Sequence, residues 1–135
     1  DRTESEVRRH LAGKGVEPDA AEDAIATLRD QGYLDDARYA RLFAEDKRTL
    51  EGWGSERIRD TLALRGIDRE LIDAAVGADS GAGAEMNRAL EILRRRFPSP
   101  PRERRDRDRA LAVLLRKGYD TELALDALTA HARAS

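Results

Sequence analysis

Eight arginines fall within residues 94–109: the run Arg94, Arg95 and Arg96, then Arg102, Arg104, Arg105, Arg107 and Arg109. Guanidinium groups recognise carboxylates and phosphates through paired N–H donors, so a cluster of this density is the best candidate for binding a polyanion or an acidic protein surface. From Glu85 to Tyr119 the chain carries 11 basic and 5 acidic residues, a local excess of six positive charges, although the whole chain has a net charge of −2. Asp106 and Asp108 interleave with the arginines, so the same stretch also reads as a solvated face of local Arg–Asp pairs. A lesser patch, Arg57, Arg59 and Arg65, is diluted by Glu56 and Asp60.

Other reactive side chains lack the company that chemistry requires. Asp35-Asp36 stands where a helix should begin, with no third oxygen ligand nearby, and reads as capping and dipole stabilisation. His10 and His131 are far apart in sequence and read as solvated or helix-terminal residues. There is no cysteine, which excludes disulfides and thiolate metal sites. Gly77, Gly81 and Gly83 lack the Lys-Ser/Thr ending of a phosphate loop, and no nucleophile, base and orienting group come together. The expectation is a non-enzymatic binding protein with no cofactor and no metal. Tyr33, Tyr39 and Phe43 follow an apolar stripe and read mainly as core, with Tyr33 the most exposed of the three. Trp53, between Gly52 and Gly54, is either a plug over a helix junction or an exposed anchor for a partner.

The elements that must carry these residues are written as a repeat. Val7-Leu11-Lys14-Gly15, Ile58-Leu62-Arg65-Gly66 and Ala110-Leu114-Lys117-Gly118 share one pattern, their glycines 51 and 52 residues apart. A fixed period of this order signals a tandem array of one supersecondary unit. Twelve residues before each glycine stand Thr3, Gly54 and Asp106, all acceptable N-caps, and Thr3 with Glu6 matches a capping box. The basic residue before each glycine suits the negative end of a helix dipole, and the glycine suits a left-handed stop. Glu17, Asp68 and Asp120 then open a second helix after a short turn, with Pro18 at a position that tolerates it.

Copies two and three have a leading helix as well, over about 36–50 and about 84–97, read from the apolar spacing of Tyr39, Leu42, Phe43 and Leu50 and of Met86, Leu90, Leu93 and Phe97. Eight helices are expected. The fold class is all-α, tandem three-helix repeats in an elongated curved array, divided as 1–34 (leading helix missing), 35–79 and 80–135. Gly77–Gly83 reads as a flexible joint and Pro98–Pro101 as a stiff connector. The start at Asp1 suggests further sequence before it. At 135 residues the chain can bury roughly 68–70% of its unfolded surface and fold alone. No run of about 18 apolar residues is present, so no membrane partner is expected. A cytoplasmic monomer is the expectation.

The stretch Gly32-Tyr33-Leu34-Asp35-Asp36-Ala37-Arg38-Tyr39-Ala40, followed by Phe43, by Gly54-Ser55-Glu56-Arg57-Ile58-Arg59 and by Leu64-Arg65-Gly66-Ile67, resembles the RecX family, regulators of the bacterial RecA recombinase built from tandem three-helix repeats. The resemblance implies a protein that binds RecA filaments on single-stranded DNA and suppresses their ATP hydrolysis, extension and strand exchange in DNA repair, recombination and the SOS response. Partner-binding candidates are then Arg94, Arg95, Arg96, Arg102, Arg104, Arg105, Arg57, Arg59, Arg65, Tyr33 and Trp53, with weak direct DNA contact through the basic residues. The alternative is a DNA-binding protein using its helix-turn-helix-like pairs. A third reading is a helical scaffold that binds another protein through Trp53.

Overall fold

A computed structural model describes residues 2–78 and 83–134. Among the described residues all regular structure is helical: α1 (Glu4–Gly13), α2 (Pro18–Asp30), α3 (Asp36–Glu51), α4 (Ser55–Leu64), α5 (Arg69–Gly77), α6 (Ala84–Arg96), α7 (Arg104–Lys117) and α8 (Thr121–Arg133). The eight expected helices are present, and the fold is all-α. The expected joint at Gly77–Gly83 falls partly outside the described residues.

The local signals act as their chemistry dictates. Thr3 Oγ1 accepts from Glu6 N at 3.1 Å while Glu6 reaches back to Thr3 N, which closes the capping box on α1. Pro18 opens α2 where its missing N–H costs nothing, and Asp120 caps α8 by accepting from Leu123 N at 2.9 Å. Asp35 caps α3, accepting from Arg38 N at 3.0 Å. Gly15, Gly66 and Gly118 all take the left-handed conformation that ends a helix. One cap is displaced: α7 starts at Arg104 behind Glu103, so Asp106 lies in its first turn. The reason is length, because α7 has 14 residues where α1 and α4 have 10, and alignment on the glycines assumed equal helices.

The chain folds into two compact units that divide α3 and α4 between them: unit 1 holds the chain up to Ala44 with Arg59–Ala78, and unit 2 holds Glu45–Ile58 with the described residues from Gly83 onward. Unit 1 buries Ile25, Ala40, Leu62 and Ile72, apolar positions of its helices, together with Leu34 and Ile67 from the connections between them. Thr3 is fully buried there, its hydroxyl also donating to Arg65 O at 3.3 Å, so the start of α1 rests on the turn that ends α4.

In unit 2, Ala89, Leu93, Ala110, Leu114, Tyr119, Ala124, Ala127 and Leu128 form one core where α6 and α7 pack on α8. The α3–α4 corner is bonded to the α7–α8 turn. Gly54 N donates to Lys117 O at 2.8 Å, Glu56 N to Gly118 O at 3.0 Å, and the Tyr119 hydroxyl to Gly52 O at 2.8 Å. A Cβ on Gly54 would stand 2.6 Å from the Gly118 carbonyl carbon, so this close backbone approach requires glycine. His131 is helix-terminal, as read from the sequence, but it is not solvated. Although it lies in the last turn of α8 it is buried, with Nε2 2.7 Å from Phe97 O, because α8 packs against the end of α6. His10 is exposed, as expected.

Candidate functional site

The C-terminal turn of α3 and the outer face of α6, both in unit 2, border a groove of about 720 Å³. Arg48, Thr49, Leu50, Glu51 and Gly52 form one wall, and Arg88, Glu91, Ile92, Arg95 and Arg96 form the other. Lys117, from the end of α7, completes the lining. The helical period explains the α6 wall, since 88, 92 and 95 recur at intervals of four and three and so share a face, which flanks the buried Ala89 and Leu93.

Five basic side chains therefore line the groove against two carboxylates. Both carboxylates are engaged by neighbouring cations: Glu51 by Lys47, and Glu91 by Arg95 at 3.0 Å and Arg94 at 3.9 Å. The hydrogen bond from Lys47 holds the Glu51 carboxyl below the usual carboxylate range, so it stays ionised. Lys117 Nζ donates to Glu51 O at 2.8 Å, which satisfies a carbonyl at the end of α3. Arg96 is exposed and has no ion-pair partner among the described residues. Leu50, 79% exposed, stands beside these cations as an apolar element. The arrangement can bind an anionic ligand that also offers an apolar surface. Among the described residues no group of three or more potential metal-ligating side chains comes together.

The structure separates the residues singled out from sequence. Of the main cluster, Arg95 and Arg96 line the groove, Arg94 pairs with Glu91 beside it, and Arg102, Arg104 and Arg105 are exposed around the start of α7 without lining it. Arg57, Arg59 and Arg65 each have their own local partners. Arg57 lies in unit 2, its guanidinium 3.9 Å from the Trp53 ring centre and donating to Arg116 O at 3.2 Å. Arg59 and Arg65 lie in unit 1, Arg59 paired with Asp73 and Arg65 bonded to the Tyr39 hydroxyl and 4.9 Å from the Phe43 ring centre.

Trp53 is buried, flanked by Lys47 at 4.9 Å and Arg57, and is the plug rather than the exposed anchor. Tyr33 is 76% exposed in unit 1, while Tyr39 and Phe43 are half-buried and stacked, their ring centres 6.2 Å apart. Arg48, Arg88 and Lys117 are groove residues that sequence reasoning passed over. Only Lys117 carried a signal, as the basic residue before a repeat glycine.

Unit 1 has a different electrostatic character. Arg8 pairs with Glu22 at 2.6 Å and Arg29 with Glu4 at 2.7 Å, and these hydrogen bonds hold both carboxyls below their ordinary range. Asp36 goes the other way: burial raises its carboxyl, partly offset by the Glu4 N–H that it accepts at 3.0 Å. Asp36 thus ties the start of α1 to the start of α3. No described helix is long and apolar enough to cross a membrane.

Comparison with known proteins gives a consistent result. Residues 1–36 match the model of the RecX first three-helix domain and residues 35–76 that of the RecX second three-helix domain. The chain is 36% identical over 121 residues to the regulatory protein RecX of Xanthomonas axonopodis pv. citri, covering 89% of this chain and 73% of that protein. It is 35% identical over 117 residues to the regulatory protein RecX of Deinococcus radiodurans, covering 87% of this chain and 55% of the relative. The crystal structure of RecX from Lactobacillus salivarius superposes with a TM-score of 0.82 at 20% identity, over 99% of this chain and 87% of the other, a likeness of fold.

Proposed function

The chain belongs to the RecX family of regulatory proteins, and from that premise we propose that it binds RecA filaments on single-stranded DNA and lowers their ATP hydrolysis, extension and strand exchange. The observation that carries this reading beyond the family is the arginine-lined groove of unit 2, a preformed surface for an anionic partner. The exposed Arg102, Arg104 and Arg105 extend the positive surface and serve as auxiliary contacts, with Tyr33 as a separate contact on unit 1. Tandem units give several individually weak contacts along a repeating partner, which multiply into avidity without any one tight site. The protein acts as a monomer in the bacterial cytoplasm, where RecA filaments form.

The test is RecA's single-stranded-DNA-dependent ATP hydrolysis with increasing amounts of this protein, alongside its affinity for the same DNA without RecA. Loss of ATPase at concentrations that leave free DNA uncovered is the expected result. Loss only where DNA is already covered would mean competition for DNA, the behaviour of a direct DNA-binding protein. Absence of any effect at molar excess would overturn the assignment.

A further inference from the structure

The groove of unit 2 is lined by more than positive charge, and its mixture of groups discriminates between anionic partners. We propose that it is a docking site for a short acidic peptide segment that carries an aliphatic side chain, supplied by a protein partner, and that it is not a track for a nucleic-acid backbone. The inference rests on the function proposed above only for the identity of the partner; the chemistry of the occupant follows from unit 2 alone.

Three features favour the peptide. The first is charge placement: Glu51 and Glu91 stand in the lining among the cations, and the Lys47 hydrogen bond keeps Glu51 ionised. A phosphodiester chain carries a negative charge at every nucleotide and would meet these carboxylates wherever it ran, whereas a peptide can set carboxylates against Arg96 and neutral residues against Glu51 and Glu91. The second is apolar surface. Leu50 is 79% exposed and faces the same groove as Ile92, which gives an aliphatic side chain a contact that a sugar-phosphate chain does not need. The third is the absence, among the described lining residues, of any aromatic ring on which an unpaired base could stack. A volume of about 720 Å³ suits a few peptide residues.

The experiment uses the full chain and fluorescent synthetic probes, read by anisotropy at about 0.1 M ionic strength. The probes are a peptide of glutamates flanking two leucines, the same peptide with serine for leucine, and oligothymidylate. The leucine-containing peptide is expected to bind saturably, and the serine peptide about tenfold more weakly. Leu50→Gln and Arg96→Glu are each expected to weaken the first peptide by about tenfold, the Leu50 change acting on the serine peptide hardly at all. Both residues are exposed, and circular dichroism with a thermal melt verifies that the variants fold.

Equal binding of the two peptides, or no saturable peptide binding, overturns the proposal. So does oligothymidylate binding that is tighter than the peptide's and lost in Arg96→Glu. Failure of the RecA assignment is read separately: peptide binding with the expected variant pattern and no effect on RecA ATPase sinks the partner and keeps the groove.

Discussion

Replacing each repeat glycine by alanine, Gly15→Ala, Gly66→Ala and Gly118→Ala, should produce a graded loss of stability from chemically identical changes. All three residues have left-handed φ, +80° at Gly15 and Gly66 and +102° at Gly118, so each alanine carries a backbone strain of about 1 kcal/mol. Their surroundings differ. A Cβ on Gly15 meets nothing within 4 Å, so the strain is the whole cost there. On Gly66 it would collide with the Ser5 side chain in the first turn of α1, which must shift. On Gly118 it would overlap the Arg57 Cβ and stand 2.7 Å from the Arg57 amide nitrogen, part of rigid helix backbone, at the point where Glu56 N donates to Gly118 O. Overpacking of that kind adds about 1–3 kcal/mol, which places Gly118→Ala at about 2–4 kcal/mol and Gly66→Ala between it and Gly15→Ala. Urea unfolding followed by far-UV circular dichroism measures the series. The single tryptophan, Trp53, lies in unit 2 and reports Gly118→Ala specifically through its fluorescence. Three variants within about 0.5 kcal/mol of each other would refute the reasoning, because strain without docking would then explain all of them.

Two further perturbations test unit 1 and the end of unit 2. Asp36 accepts from Glu4 N, yet burial raises its pKa, so its ionisation opposes folding as pH rises through the native pKa. Asp36→Asn keeps an acceptor and removes that penalty, and is expected to gain stability relative to wild type as pH rises above the ordinary aspartate range; Asp36→Ala strands the Glu4 amide and should cost about 1–3 kcal/mol. Urea unfolding of both variants across that rise checks the sign, and an Asn variant that loses ground as pH rises would contradict it. His131→Ala removes a buried ring and the contact to Phe97 O, and should destabilise unit 2 by about 2–3 kcal/mol, seen as an earlier Trp53 fluorescence transition; no shift would mean that α8 does not need this contact.

Much of the fold was legible because helix starts and stops are decided within a few residues. Thr3 with Glu6, Pro18 and Asp120 act through hydrogen bonds or fixed dihedrals spanning no more than one turn, and the glycines at 15, 66 and 118 act through their own φ. Asp106 shows the limit of that logic, since helix length depends on what α7 packs against and not on the repeat alone. The candidate site was legible only as an excess of arginine. Arg57 and Arg59 are two positions apart on α4 and take different partners, Trp53 for one and Asp73 for the other, which sequence spacing does not reveal.

His131 and Trp53 could be typed from sequence but not placed. Their burial comes from elements distant in the chain, the end of α6 for one and Lys47 with Arg57 for the other. The groove has the same origin. It takes residues 48–52, 88–96 and 117, which no local period links, and only the packing of α3, α6 and α7 brings them together. Local backbone chemistry, encoded residue by residue, sets the helices; burial and the meeting of distant charges depend on which faces pack, and that the tertiary structure alone decides.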